Sequence, residues 1–466
     1  MRRTTVGTLV VVTLLATAAP GEAAGLARDP VAVVYDRDHA LHTLNGGATD
    51  DELTLRTQAL ASSAWAFFRG TSPLYYRDLG ELPKSAYATA GGDVWLTGDA
   101  HLENTGADRG ADNEEQFALN DTDDAWRGSW TWEVRREAVS IVLAGRANGR
   151  SASRIATDVD TFVAEYAQWI GKFHGTDDEA SWRLTASNTS DLVGDLIDAS
   201  AGDKRADLVA KWTTGGHFKS DPELQTVSAA TRTQIADAVA AYRTTAGQPL
   251  KTSEAVVKDV RRRTGAGTGS LGRFRWYALV EGDTTAASDD RILELKQEVD
   301  PAPKQLAPNA TALTGGQRPA RGRRGGAPRG APRRPPPPPP ALALRWLANR
   351  SDPLAGWASV GSTPVLVKEK SPFAEDLEIG DLTSTAIWDD TVRDVGRLLA
   401  AAHSRADQDI PGTGLAYSAD AAIDGAITSV PGLQAETRAF ATSYADQVTT
   451  DWHAYVAAKN SGRPLF

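Results

Sequence analysis

Asp99 and Asn104 stand in the run Gly98-Asp99-Ala100-His101-Leu102-Glu103-Asn104, with D-x-x-x-x-N spacing, and Asp121 follows in Asn120-Asp121-Thr122-Asp123-Asp124. A phosphoryl-transfer site needs one carboxylate to accept the attacking hydroxyl's proton. It also needs an amide oxygen and a second carboxylate to hold magnesium against nucleotide phosphates. Asp99 fits the first role, Asn104 and Asp121 the others, and Asp123 is a second-choice metal ligand. Acidic surface turns carry the same letters, so either half alone says little. Together, between strand-like runs, they point to Mg2+ and ATP.

A second element lies far downstream. Gly267-Thr268-Gly269-Ser270-Leu271-Gly272 is a G-x-G-x-x-G loop, and it opens onto the aromatic, β-branched run Phe274-Arg275-Trp276-Tyr277-Ala278-Leu279-Val280. A loop that opens a helix would suit a dinucleotide fold; one that opens a strand suits a hairpin whose amides cover phosphates. Gly267, Gly269, Ser270 and Gly272 are then the phosphate-covering residues. Lys296, at the end of Ile292-Leu293-Glu294-Leu295-Lys296, takes the place of a strand lysine on the α- and β-phosphates. Lys368, in Val365-Leu366-Val367-Lys368, competes for that role but has no glycine loop just before it.

Other chemistries are thinner. Asp99-x-His101 could begin a two-metal phosphoesterase site, but no Gly-Asn-His element follows. Seven scattered histidines form no zinc signature, and no G-x-S-x-G elbow exists. His101 is expected to brace its loop by hydrogen bonding and His403 to belong to a helix face. Trp126, Trp130 and Trp132 suit a core or rim anchor at least as well as a substrate platform. Arg69 and Arg77 could clamp a phosphate or a structural carboxylate.

The elements that must position these residues follow from periodicity. Thr54 to Phe68, Trp132 to Ala147, Ile155 to Phe173, Thr226 to Thr244, Leu382 to Arg405 and Ala435 to Ala458 have helical spacing. Val94-Trp95-Leu96, Phe274 to Glu281, Arg291 to Leu295 and Pro364 to Val367 read as strands. The chain divides into a helix-rich part over 50–250, a strand-rich part over 255–300, and strands followed by helices over 341–466.

Pro301 to Pro340 holds half of the 24 prolines and seven arginines with no acid. It is expected to be disordered or polyproline-like: a solvated low-complexity insertion, with a weak contact of Arg318–Arg334 to an anionic envelope component as the functional alternative. Residues 1–23 read as an export signal: Arg2 and Arg3, the apolar run Val6 to Ala18, and small-residue cleavage sites ending at Ala18 or Ala23. The chain is expected to be exported and not an integral membrane protein.

With 466 residues, 41% of them hydrophobic, the chain is long enough for a sizeable core and is neither a collagen nor a coiled coil. Sixty acids against 50 bases give a net charge of −10, which disfavours nucleic acid as a general partner. The absence of cysteine excludes disulfides, thiolate metal sites and a thiol nucleophile.

The same residues resemble the bacterial domain-of-unknown-function family 2252. The resemblance rests on Ala66-Phe67-Phe68-Arg69-Gly70, Gly98 to Asn104, Trp130-Thr131-Trp132-Glu133, Gly267 to Gly272 with Lys296, Ser351 to Trp357, and Ala401-Ala402-His403-Ser404-Arg405. The catalytic-loop segment is in turn similar to aminoglycoside and choline phosphotransferases. This implies an α+β, protein-kinase-like two-lobe fold with a helix-rich C-terminal part.

The glycine loop and lysine follow the catalytic loop instead of preceding it, so the order implies a circularly permuted arrangement or a false assignment. Thr122 replaces the usual aromatic and Glu133 an expected Asp, which implies altered metal geometry. The expected function is a Mg-ATP-dependent phosphotransferase acting on a small-molecule or envelope hydroxyl. Because nucleoside triphosphate is scarce outside the cytoplasm, an exported non-catalytic binding protein is the second expectation and a metal-dependent phosphoesterase the third.

Overall fold

A computed structural model gives the structure of residues 26–308 and 339–466, apart from breaks at 45–46, 89–91, 190, 266, 350–351, 406, 409–412 and 414. The signal over residues 1–23 and the Arg318–Arg334 segment lie outside the described residues. The fold is α+β, a large helical body joined to antiparallel sheets. Among the described residues no helix is long and apolar enough to cross a membrane.

Four long helices form the body: Trp130–Ala147, Ala152–Phe173, Thr385–Arg405 and Val430–Asn460. In the second, Ile155, Val159, Phe162, Val163, Tyr166, Ile170 and Phe173 recur at three- and four-residue steps. Those steps gather on one face of a 3.6-residue turn, and all seven side chains are buried. The helix Trp130–Ala147 is buried on almost every side, so its polar residues must find partners within the protein. The helix expected over Thr54 to Phe68 is instead two, Asp50–Ser62 and Ala64–Gly70. Ser63 between them is extended and caps the second by accepting from the Ala66 amide at 3.0 Å.

Six antiparallel strands form the main sheet, in the order Gly356–Val360, Thr363–Glu369, Arg291–Gln297, Arg275–Val280, Val257–Arg263, Leu224–Thr226. All three expected parts of the chain contribute strands to it. Side chains alternate across a sheet. Leu293, Leu295, Ala278, Val365 and Val367 pack in one core with the helix Ala229–Tyr242, while Glu294 and Lys296 point to the opposite face. There Glu294 lies opposite Lys368 and Tyr277, and Lys296 opposite Arg275. The strand Val257–Arg263 escaped the periodicity reading because only Val260 of its apolar residues is fully buried while three arginines fill its end.

Two smaller antiparallel pairs hold the acidic loops: Asp93–Leu96 with Trp126–Ser129, and Thr105–Arg109 with Glu115–Leu119. The segment expected to be disordered over 301–340 is ordered at both ends. Ala302 and Pro303 are buried in a 3-10 turn, Trp126 Nε1 donates to the Ala307 carbonyl at 2.9 Å, and a helix runs over Pro339–Leu347. Composition alone does not register the shelter that Trp126 provides.

Candidate functional site

The loop bearing Asp99 is anchored from beneath by the helix Trp130–Ala147. Glu133 Oε1 accepts from the Gly98 amide at 2.8 Å and from the Thr97 hydroxyl, and its Oε2 meets His403 Nε2 at 2.9 Å. His403 Nδ1 meets the Tyr166 hydroxyl at 2.8 Å, so three helices converge on one buried polar chain. One turn on, Arg136 donates through Nε to Asp99 Oδ1 at 2.9 Å and through Nη2 to the same oxygen, with its guanidinium over the Phe68 ring at 4.2 Å. Ser140 Oγ accepts from the Leu102 amide at 3.0 Å and donates to Glu137 Oε1 at 3.2 Å.

Burial pushes the Asp99 carboxyl up to about 6 against the pull of Arg136, with Asp124 and Asp121 adding repulsion. Burial likewise raises Glu137 to about 8. Asn104 Nδ2 donates to the Asp99 carbonyl at 2.8 Å, which leaves its amide oxygen for another partner. Gly98 has φ +83°, and a Cβ there would lie 1.9 Å from the Asp124 carbonyl oxygen, so the two acidic loops touch where only glycine fits.

In the second loop, Asp121 Oδ1 accepts from the Asp123 amide at 3.0 Å. Lys296 reaches down from the sheet to Asp123 Oδ2 and stands 3.6 Å from Asp121 Oδ2. Partial burial would raise Asp121, but the Lys296 charge and the Asp123 amide overcome it and hold its carboxyl below the usual range. Asp123 is pushed up by burial and by the Asp121 charge. Arg273, just after the glycine loop, donates to Asp123 Oδ2 at 3.3 Å and lies 3.8 Å from Asp124 Oδ1. Lys368 is close enough for its charge to act on Asp121 and forms no ion pair among the described residues.

The glycine loop is the turn of a hairpin between Val257–Arg263 and Arg275–Val280. Its Ser270 and Leu271 amides fold back onto the Gly267 carbonyl at 3.2 and 2.9 Å, and Gly272 takes φ +90°. Two arginines from the first helices fasten it. Arg56 Nη1 donates to the Thr268 carbonyl and Arg37 Nη2 to the Gly269 carbonyl, both at 2.6 Å, while Asp38 takes Arg56 Nε at 2.8 Å.

A partly open cavity of about 100 Å³ lies between this loop and the acidic loops. It is lined by Asp99, His101, Asn104, Asp121, Asp123 and Asp124 below and Gly267 to Ser270 above, with Arg37, Arg69 and Arg273 in its walls. The structure thus brings together Asp99, Asn104, Asp121, Asp123, Gly267, Gly269 and Ser270. Lys296 joins them through Asp123, while Gly272 turns toward Ala48 and Leu53.

Several expectations change. Glu133 is no metal ligand: it is buried under the loop as its anchor, and the extra methylene relative to Asp serves that reach. His101 does not brace its loop through Nδ1, which has no partner; its ring stands edge-on to Trp65 at 5.9 Å. His403 does lie on a helix face, fully buried. Trp130 is buried and stacked on Tyr166, Trp126 is buried against Ala307, and Arg77 is exposed. Arg69 pairs with Glu103.

Arg37, Arg56, Arg136 and Arg273 escaped the sequence reading. For Arg136 a signal existed, since Glu133, Arg136, Glu137 and Ser140 form a polar stripe at helical spacing in an otherwise apolar helix. Arg37 and Arg56 act through backbone carbonyls, which no motif records.

Among the described residues no group of three or more His, Asp or Glu side chains is arranged to hold a metal by itself. The donor set still suits magnesium. Asn104 and Asp121 offer oxygens only, and that ion is commonly held by one or two protein groups with phosphate and water completing the shell. No curated protein and no solved structure matches the chain. The model of a family described as uncharacterised protein conserved in bacteria, domain of unknown function 2252, matches residues 49–327 and 341–458, and the chain belongs to that family.

Proposed function

We propose that the protein is a phosphotransferase that moves a phosphoryl group from Mg-ATP to a hydroxyl of a small molecule or envelope component. The observation that carries this reading is the convergence on one cavity of Asp99, Asn104 and Asp121 with a glycine hairpin from far along the chain. That convergence supports a kinase-like site assembled from a permuted order, since a site is defined by geometry and not by sequence position. Asn104 and Asp121 would hold the metal. The glycine hairpin and Lys368, which forms no ion pair among the described residues, would meet the phosphates. When bound, Mg-ATP supplies the electrophilic phosphoryl group and neutralises its charge.

Asp99 acts through the oxygen that Arg136 leaves open. Oδ2 faces the glycine loop, where a Cβ on Gly269 would sit 3.9 Å from it, and it accepts the acceptor hydroxyl's proton as that oxygen becomes nucleophilic. Arg136 holds the carboxylate in place and limits the rise in its basicity. The chemistry is mostly positioning and electrostatics.

One observation favours a second reading, a binding protein without transfer. Lys296 already occupies Asp123, and a cavity of about 100 Å³ is well below the size of ordinary nucleotide pockets. Calorimetry separates the two. Saturable, Mg2+-dependent ATP binding that is lost in Asp121→Asn and Lys368→Ala supports the phosphotransferase. No binding at millimolar nucleotide sinks it in favour of the binding protein. The export reading is tested by the mass of the mature N-terminus, which an intact Met1 would overturn.

A further inference from the structure

Arg37 enters the cavity from a segment outside the family match: it lies on the helix Pro30–Thr43, whereas the match begins at residue 49. Its two terminal nitrogens donate to the carbonyls of Gly70 at 3.1 Å and Gly269 at 2.6 Å, two bonds for a group with five donors. No carboxylate pairs with it among the described residues. Burial, with the charges of Arg56 and Arg273, brings it down to about 9 against the pull of Asp38 and Asp124. A half-buried guanidinium that donates only to carbonyls favours an anion beside it.

The same wall continues through Arg69 and His101. Arg69 gives Nη1 to Glu103, and its Nε is buried without a partner. His101 is 3% exposed with Nδ1 unpartnered, and burial together with Arg69 and Arg136 holds its ring well below the usual range, so it is a neutral ring.

The aspartates at the other end are engaged: Asp99 by Arg136, Asp123 by Lys296 and Arg273, Asp121 by Lys296 at 3.6 Å, and Asp124 by the Ser72 hydroxyl at 3.0 Å and the Ala302 amide at 3.1 Å. Of the three arginines in the cavity wall, Arg37 alone donates only to backbone carbonyls among the described residues.

We propose that Arg37, Arg69 and His101 form an oxyanion subsite. It holds a phosphate or carboxylate group of the acceptor and presents the acceptor's hydroxyl to Asp99 Oδ2. The subsite rests on the phosphotransferase reading only in assigning that group to the acceptor. It makes the substrate an anionic alcohol, because an amine or quaternary ammonium in the same place would face two guanidiniums.

Calorimetry with inorganic phosphate on the full chain tests this, with and without saturating Mg-ATP, for the parent protein, for Arg37→Gln and Arg69→Gln, and for Arg77→Gln at an exposed arginine outside the cavity. Melting temperatures check that each variant folds. Loss of a charged hydrogen-bonding group predicts binding weakened at least about tenfold in Arg37→Gln and in Arg69→Gln. Binding is expected to be unchanged in Arg77→Gln and to persist with Mg-ATP present.

Phosphate binding that is absent at about 10 mM, or is indifferent to both cavity variants, overturns the subsite. Displacement by Mg-ATP overturns the acceptor assignment, since the oxyanion would then be the nucleotide's terminal phosphate. Arginine-dependent phosphate binding in a protein that binds no nucleotide supports the subsite and removes only the phosphotransferase reading.

Discussion

Arg136 gives two nitrogens to a single oxygen of Asp99, Oδ1, and leaves Oδ2 to the cavity. The pair is one-sided because Arg136 also donates to the Phe68 carbonyl at 3.3 Å and lies against the Phe68 and Tyr75 rings, which fix the plane of its guanidinium. Replacing Arg136 with Met keeps bulk but strands a buried carboxylate. The expected cost is about 3 to 5 kcal/mol in chemical denaturation, with Asp99 titrating higher than in the parent protein by NMR. An unchanged Asp99 titration would contradict the pairing.

The raised Asp99 carboxyl sets a pH dependence. Transfer that uses it as a base climbs as pH rises through about 6, where the group loses its proton. An activity profile that is flat between pH 5 and 7 would remove Asp99 from that role.

Glu137 makes a stability prediction with the sign worked through. Its native carboxyl holds a proton to about 8, well above the ordinary carboxylate value, so its contribution is fully present below that ordinary value and is lost as pH rises through 8. Glu137→Gln keeps an acceptor for Ser140 and removes the ionisation. Urea midpoints should show the variant gaining on the order of 1 kcal/mol over the parent at pH 9, with little difference near pH 4.

Gly98→Ala tests the contact between the two acidic loops. The left-handed backbone alone costs about 1 to 3 kcal/mol, and the approach to the Asp124 carbonyl adds to it. A thermal melt should fall by several degrees; a melt within a degree of the parent would mean that the loops do not touch.

Lys296 and Lys368 separate structure from binding. Lys296→Met removes the nearest cation from Asp123 and Asp121, leaves Asp123 to Arg273 alone, and should destabilise the fold by about 3 kcal/mol. Lys368→Met removes no ion pair and should shift stability by less than about 1 kcal/mol while lowering Mg-ATP affinity. Reversed effects would exchange the two roles.

The residues that line the cavity were legible because they sit in short local runs: the D-x-x-x-x-N spacing marked Asp99 and Asn104, and the glycine run marked the hairpin. The long helices were legible because seven buried residues of Ala152–Phe173 share one face. Glu133 was visible as a departure but not as an anchor, since its partners, the Gly98 amide and His403, lie 35 and 270 residues away.

The sequence by itself determined the long helices, most strands of the central sheet and which side chains can do acid–base and phosphate chemistry, because those properties belong to single residues and short periods. Only the tertiary structure decided that Lys296 neutralises Asp123, that Arg136 leaves one Asp99 oxygen open, and that Arg37 brings an unpaired cation to the glycine loop. Each of these depends on distances between residues far apart in the chain, and a charge acquires its chemistry from what lies within a few ångströms of it.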